Sequence, residues 1–404
     1  MSGPLEGIRV LECAGYLSAP TAGYMLGDMG AEVIKLEDRV RGDPTRGFFE
    51  VFGMKTAHQG INVLFETANR HKKSVTLDIS KEEGKRILHQ LVKVSDIFLT
   101  NYSPSAISNL QIDFATLSRH NPRLVYGIAT GYGLKGPDCD KRAFDTIAQA
   151  RSGMMYAFGE SEGVPSQIGG IIFDQMTGTM LAYGVLSAII ARDRQGVGQQ
   201  VEVSLLGSGI HLQAYGVNGA MLRGRTMSSS RKTLKNPLAN HYECADGKWL
   251  VLSESQSDKY WPAFCDALGI PELKNDPRYL NVVERKKNFR ELTSTIENVF
   301  KTKTRDEWVS ILEEKGGGLA FSPILSLMEL GSDPQVLANE YITKVDHPSL
   351  GQLNVVGVPV KLSATAPSAQ GYAPNFGEHT EDVLINVLGY NWDDIQRLKE
   401  GEII

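Results

Sequence analysis

Apolar and polar positions in the first third of the chain follow two alternating periods. Short runs rich in aliphatic and β-branched residues read as strands: Arg9–Glu12, Ala31–Glu37, Ser74–Asp78, Asp96–Thr100 and Leu124–Ala129. Helical patterns lie between them. One runs from Ala19 to Gly30, with Pro20 near its start and a glycine at its end; another runs from Lys81 to Val94. Strands alternating with helices predict an α/β fold: a doubly wound parallel sheet with helices on both faces. In such sheets the ligand sits beyond the carboxyl ends of the strands.

The pattern changes after residue 224. Gly224 to Pro237 is polar and basic and reads as a linker. His241–Glu254 follows as a hairpin turning at Asp246-Gly247. Helices are predicted near Asp258–Leu268, Glu284–Thr302 and Arg305–Lys315. The chain becomes strand-like again around Leu353–Leu362 and closes with helices near Glu378–Leu388 and Asp393–Glu400. The expected organisation is a large Rossmann-like domain (1–224), a small α/β domain (225–332) and a return segment (333–404) packing on the large domain.

Composition narrows the function classes. With 404 residues, 42% of them hydrophobic and 22% charged, the chain can build an ordinary globular core. A net charge of −5 argues against a nucleic-acid binder. No apolar run is long enough to span a membrane, and no basic stretch followed by an apolar one opens the chain, so a cytoplasmic protein is expected. Cys13, Cys139, Cys244 and Cys265 lack metal-ligand or redox spacing and read as free thiols. No HExxH or GxSxG motif occurs, which leaves metal and hydrolase chemistry unsupported. Gly131-Tyr132-Gly133-Leu134-Lys135-Gly136 matches a dinucleotide fingerprint literally. The loop residues Pro137-Asp138-Cys139-Asp140-Lys141 follow instead of a helix, so it reads as a flexible loop at the sheet edge.

The chemically suggestive stretch is Ile168-Gly169-Gly170-Ile171-Ile172-Phe173-Asp174, ahead of a long apolar helix. Asp174 can be an N-cap, the commonest use of such a residue. It can also be a nucleophile. The glycines leave room for a ligand, the apolar residues exclude water, and the helix terminus favours an ionised carboxylate. Arg39, Arg41, Arg46, Arg70, Lys72 and Lys73 form an early basic cluster. It reads mostly as a solvated face, with a phosphate-bearing ligand as the alternative.

These segments together resemble the class III coenzyme A transferases. The resemblance is carried by Pro4–Glu12, Gly30–Glu37, Gly42-Asp43-Pro44-Thr45-Arg46, Lys72–Asp78, the Gly131-Tyr132-Gly133 loop, Gly169–Val203 and Gly377-Glu378-His379-Thr380. It implies a catalytic aspartate at Asp174. It also implies an acyl-CoA donor, a carboxylic acid acceptor and no tightly bound cofactor. The family's CoA contacts fall on Leu17, Ser18, Leu77, Ser80, Asn101, Tyr102 and Arg142. The implied assembly is a homodimer of interlinked rings. Two family arginines fall on Asp38 and Asn109; at the first place either Arg39 takes over or the adenosine phosphate is held differently. The glycine loop of the oxalate enzymes is not recognisable near 235–245, which argues against oxalate. The α-methylacyl-CoA racemases share the fold but need a histidine where this chain has Phe144 before Asp145, and a phenyl ring moves no proton. A non-catalytic acyl-CoA binding protein is the other alternative. Ala68–Ile79, Thr130–Pro137 and Asn236-Pro237 most resemble transferases acting on 2-hydroxy acids, such as 2-hydroxyisocaproate or phenyllactate, in amino-acid fermentation. That subgroup implies work beside a 2-hydroxyacyl-CoA dehydratase.

Overall fold

The computed structural model describes residues 3–47, 50–51, 54–55, 57–58, 60–159, 164–225, 234–369 and 371–404. Most of the predicted linker, 226–233, lies outside the described residues. The chain divides into two compact units. The larger takes 1–156, 166–226 and 337–404, and the smaller takes 157–165 and 227–336.

The larger unit is built on a six-stranded parallel sheet. Its strands are β1 (Arg9–Cys13), β2 (Glu32–Glu37), β3 (Lys72–Thr76), β4 (Ile97–Thr100), β5 (Val125–Thr130) and β6 (Gln200–Ser204), in the order β6-β5-β4-β1-β2-β3. Neighbouring residues on each strand face opposite layers. Leu11, Ile34, Val75, Phe98 and Tyr126 join a core with Ile87, Leu88 and Leu91 of helix α2 (Glu82–Lys93). Val10, Val33, Ile97 and Val125 join another with Ala19, Ala22 and Leu26 of helix α1 (Ser18–Asp28). Helices therefore cover both faces, which is why apolar residues on the strands do not strictly alternate with exposed polar ones.

The sheet departs from expectation at its margins. β6 is a sixth strand that the sequence pattern did not single out. Its residues are half-buried or exposed, so its apolar signal is weak. The third strand begins at Lys72, two residues earlier than predicted. Lys72 is 4% exposed and lies inside the sheet because its ammonium donates to both Glu12 carboxylate oxygens, at 2.9 and 2.7 Å.

The carboxyl-terminal stretch packs against β3. The Thr76 N–H donates to Thr380 Oγ1 at 3.0 Å, and the His379 N–H donates to the Ser74 carbonyl at 2.9 Å. Val383, Leu384, Ile395 and Leu398 enter the same core as Val75. Strands in this stretch run over Ile342–His347 and Gly351–Val356, upstream of the predicted centre.

In the smaller unit, strands β7 (His241–Glu243), β8 (Trp249–Leu252) and β9 (Phe321–Ile324) form an antiparallel sheet. The first two make the predicted hairpin. Helices Ser257–Leu268, Phe289–Phe300 and Arg305–Lys315 supply Trp261, Phe264, Phe300 and Trp308 to its core. The single helix expected over Glu284–Thr302 is broken at Asn288 into Val282–Lys287 and Phe289–Phe300.

Candidate active site

The strand order reverses between β4 and β1, and loops from both meet at the carboxyl edge of that switch point. Asn101, just after β4, accepts the Gly15 N–H at 3.1 Å and donates to the Gly15 carbonyl at 2.7 Å. The same loop is gripped from below. Lys35 Nζ donates to the Ala14 carbonyl at 2.9 Å, and Asp43 Oδ1 accepts the Tyr16 N–H at 3.3 Å. Tyr16 is thereby held at φ 60°, a left-handed conformation unfavourable for an aromatic residue.

Beneath that loop lies a fully buried ion cluster. Lys35 bridges Glu12 at 3.0 Å and Asp43 at 2.8 Å, and Lys72 bridges Glu12. Burial and the neighbouring Lys35 pull Lys72 down to about 8, against the attraction of Glu12. Arg46 pairs with Glu37, Arg70 with Asp28, and Lys73 with Glu32. The early basic residues are thus mostly internal ion-pair partners, and the solvated-face expectation fails for Lys72 and Arg70.

Asp174 lies on helix α4 (Ile172–Gln195), in its first turn, as the third residue. It is not the N-cap; that position is Ile171, at φ 53°. The cap comes from helix α3 (Asp145–Arg151). Asp145 Oδ2 accepts the N–H of Phe173 at 2.6 Å and of Asp174 at 3.2 Å. One turn on, Gln149 donates to Asp145 Oδ1 at 2.5 Å and to the Ile168 carbonyl at 2.8 Å, and it accepts the Ile168 N–H at 2.9 Å. Residues 145 and 149 on one helix face thus fasten both the glycine turn and the start of α4. Phe173 is fully buried against helix α5 (Leu205–Leu212), where a Cβ on Gly209 would meet its ring at 1.9 Å. A Cβ on Gly178, one turn beyond Asp174, would meet the Ser18 carbonyl at 2.7 Å, so α4 approaches the start of α1 closely.

The Asp174 side chain is half-buried and has no hydrogen-bond partner among the described residues. Burial, and then the neighbouring Asp145, push its carboxyl up from 3.8 to about 7. The helix terminus expected to help keep Asp174 ionised is shared with Asp145, which accepts its first N–H groups.

The other expected site residues lie along the same sheet edge. Leu17 and Ser18 follow β1 and are each 7% exposed. Arg39 follows β2, with its guanidinium 3.4 Å from Glu402. Leu77 and Ser80 follow β3; Leu77 is buried, whereas Ser80 is exposed and donates to Asp78 at 2.5 Å. Asn101 and Tyr102 follow β4, and Asn101 is committed to the Gly15 loop. Arg142, in the loop after β5, is exposed. The Gly131–Gly136 segment is also loop here, with no helix directly after it. No group of three or more potential metal ligands occurs among the described residues. All four cysteines are free. Gln149 and the capping role of Asp145 escaped sequence reasoning. Their i, i+4 spacing is visible, but their target is 19 to 29 residues away.

A half-buried carboxylate beside a glycine turn, at the mouth of a parallel sheet, is a site several families could use. Comparison with known proteins resolves which. Residues 5–380 match the model of CoA-transferase family III. The chain is 33% identical to the (R)-2-hydroxy-4-methylpentanoate CoA-transferase of Clostridioides difficile, over 99% of both chains. It is 31% identical to the succinyl-CoA:glutarate CoA-transferase of Mus musculus, over 98% of this chain and 89% of that one. Among solved structures, a CAIB/BAIF family protein from Brucella suis superposes with a TM-score of 0.85 at 27% identity, covering 96% of this chain and all of that one. The chain belongs to CoA-transferase family III.

Proposed function

We propose that the protein moves CoA from an acyl-CoA to a free carboxylic acid through covalent chemistry at Asp174. The acid is a 2-hydroxy acid such as 2-hydroxyisocaproate or phenyllactate. The observation that carries the reading is the unpartnered Asp174 carboxylate, half-buried at the switch-point edge on an anchored helix start. Such a carboxylate lacks the hydration that would blunt its attack.

In the reaction, an Asp174 oxygen attacks the thioester carbonyl. The C–S bond breaks, CoA thiolate leaves and a mixed anhydride forms. The thiolate then attacks the aspartyl carbonyl, expelling the first acid as its carboxylate and leaving an aspartyl-CoA thioester. The incoming carboxylate attacks that thioester and releases the thiolate, which attacks the new acyl carbonyl. A new acyl-CoA departs and the Asp174 carboxylate is restored. No ATP is consumed, because the thioester bond energy is carried through.

Leu17, Ser18, Arg39, Leu77, Ser80, Asn101, Tyr102 and Arg142 are the proposed CoA contacts. Their common place at one sheet edge supports this, since each follows the carboxyl end of a strand. Arg39 and Arg142 are suited to phosphate. The proposed assembly is a homodimer, supported by exposed apolar residues of the larger unit: Tyr183 and Ile190 on α4, and Tyr215, Met221 and Leu222 on helix Ala214–Arg223. A cytoplasmic enzyme beside a 2-hydroxyacyl-CoA dehydratase completes the proposal; no helix among the described residues is long and apolar enough to cross a membrane.

The test is an exchange assay between an acyl-CoA and a panel of labelled free acids. Label entering the CoA ester supports transfer, while binding without exchange marks a carrier. Loss of deuterium from the α-carbon of an acyl-CoA incubated alone would mark a racemase.

A further inference from the structure

We propose that Tyr16 and Phe144 form the apolar wall that selects the acid reacting at Asp174, favouring monocarboxylic acids with branched or aromatic side chains over dicarboxylic acids. This rests on the reading of Asp174 as the nucleophile.

Phe144 directly precedes Asp145, whose carboxylate binds the Asp174 N–H. Asp145 is buried, yet the Phe144 ring beside it is 46% exposed. An open aromatic next to the start of α4 contributes little to the core. Tyr16 meets it edge to face, with ring centroids 5.9 Å apart and planes at 69°. The position of Tyr16 is imposed on the chain. Asp43 holds its N–H, and Asn101 and Lys35 hold the two residues before it, so that a left-handed tyrosine persists. Backbone strain kept by so many independent contacts points to a use for the ring.

Charge points the same way. Asp145 lies beside Asp174, and its carboxylate repels a second carboxylate on the acid. Nearby basic residues are engaged elsewhere: Lys141 and Arg151 both pair with Asp138. Arg142 is exposed in the loop and is assigned to CoA above. A dicarboxylic acid would place its distal charge against the Tyr16 and Phe144 rings with no free cation among the described residues to pair it, which is costly. A branched or phenyl side chain would instead cover apolar surface.

The test is identity exchange, in which each acyl-CoA is incubated with its own labelled free acid, so no common donor is needed. The panel is 2-hydroxy-4-methylpentanoate, 3-phenyllactate, acetate and glutarate. The wild type is expected to exchange the two bulky acids with kcat/KM at least about tenfold above acetate and glutarate. Phe144→Ala should lower the bulky acids by about 10- to 100-fold and leave acetate within about threefold. Tyr16→Gly should do the same, while Tyr16→Phe keeps the wild-type order. Fastest exchange with glutarate, or an equal loss for all four acids in well-folded Phe144→Ala, overturns the proposal. Exchange that survives Asp174→Asn, or is absent with every acid, overturns the underlying reading instead.

Discussion

The Asp145 carboxylate accepts the backbone N–H of Asp174 at 3.2 Å, so one acid caps the helix that carries the other. Helices are usually capped by the residue just before them. Here that residue is Ile171, which has no side-chain oxygen to offer. Borrowing the cap from α3 anchors the helix start and places a second carboxylate beside Asp174. Anchoring and repulsion therefore come from one contact.

Asp145→Asn removes the repulsion and keeps an oxygen for the cap. Asparagine keeps one oxygen for the helix N–H groups while the charge goes, and its amide NH2 replaces the oxygen that accepts from Gln149 Nε2. The acid limb of kcat/KM, which reports free-enzyme ionisation, is expected near 7 in the wild type. It should move down by roughly one unit in the variant. An unmoved limb would show that burial alone sets the acidity of Asp174.

Asp174 should cost stability when ionised. Its folded pKa, about 7, lies above the ordinary 3.8. The folded state therefore holds the proton more tightly, and stability is lost as pH rises from about 4 to about 7. Asp174→Asn avoids that loss. Denaturant unfolding at pH 8 should show a gain of about 1–3 kcal/mol, shrinking to nothing below about pH 4. A destabilised Asn variant at pH 8 would contradict the assigned environment.

Gln149 makes three hydrogen bonds from one buried amide. Gln149→Leu keeps the bulk and leaves the Ile168 N–H and carbonyl unpaired, at about 1–3 kcal/mol each in denaturant titration. With the glycine turn loosened, kcat should fall by about 10- to 100-fold while CoA binding changes little. Unchanged kcat in the folded variant would remove Gln149 from the positioning of Asp174.

The buried quartet of Glu12, Lys35, Asp43 and Lys72 makes a stability prediction. Glu12→Gln leaves two ammonium groups with one carboxylate between them, and loss of about 3–5 kcal/mol is expected in denaturant unfolding. A loss below about 1 kcal/mol would place the cluster in contact with water.

Much of the fold was legible because its strands are buried on both faces and read as apolar runs between helices. Val10 and Leu11 point to opposite cores, and buried ion-pair residues such as Glu12 and Lys35 interrupt the apolar signal. Lys72 hid the start of β3 because a buried ion pair looks polar in sequence. β6 hid because it is poorly buried. Asp174 stood out by its glycines and apolar neighbours. Its cap did not, because the αL turn at Ile171 and the reach of Asp145 across 29 residues are tertiary facts. The αL turn at Tyr16 was equally silent, since no glycine marks it.

The central claim is a covalent link at Asp174, and trapping tests it most directly. The enzyme is incubated with an acyl-CoA, treated with borohydride or hydroxylamine, digested and mapped by mass spectrometry. The aspartyl-CoA thioester should appear as a reduced side chain or a hydroxamate at Asp174, absent in Asp174→Asn, whose transfer rate falls by orders of magnitude. Full transfer activity in Asp174→Asn, or a trapped adduct at another residue, would contradict the account.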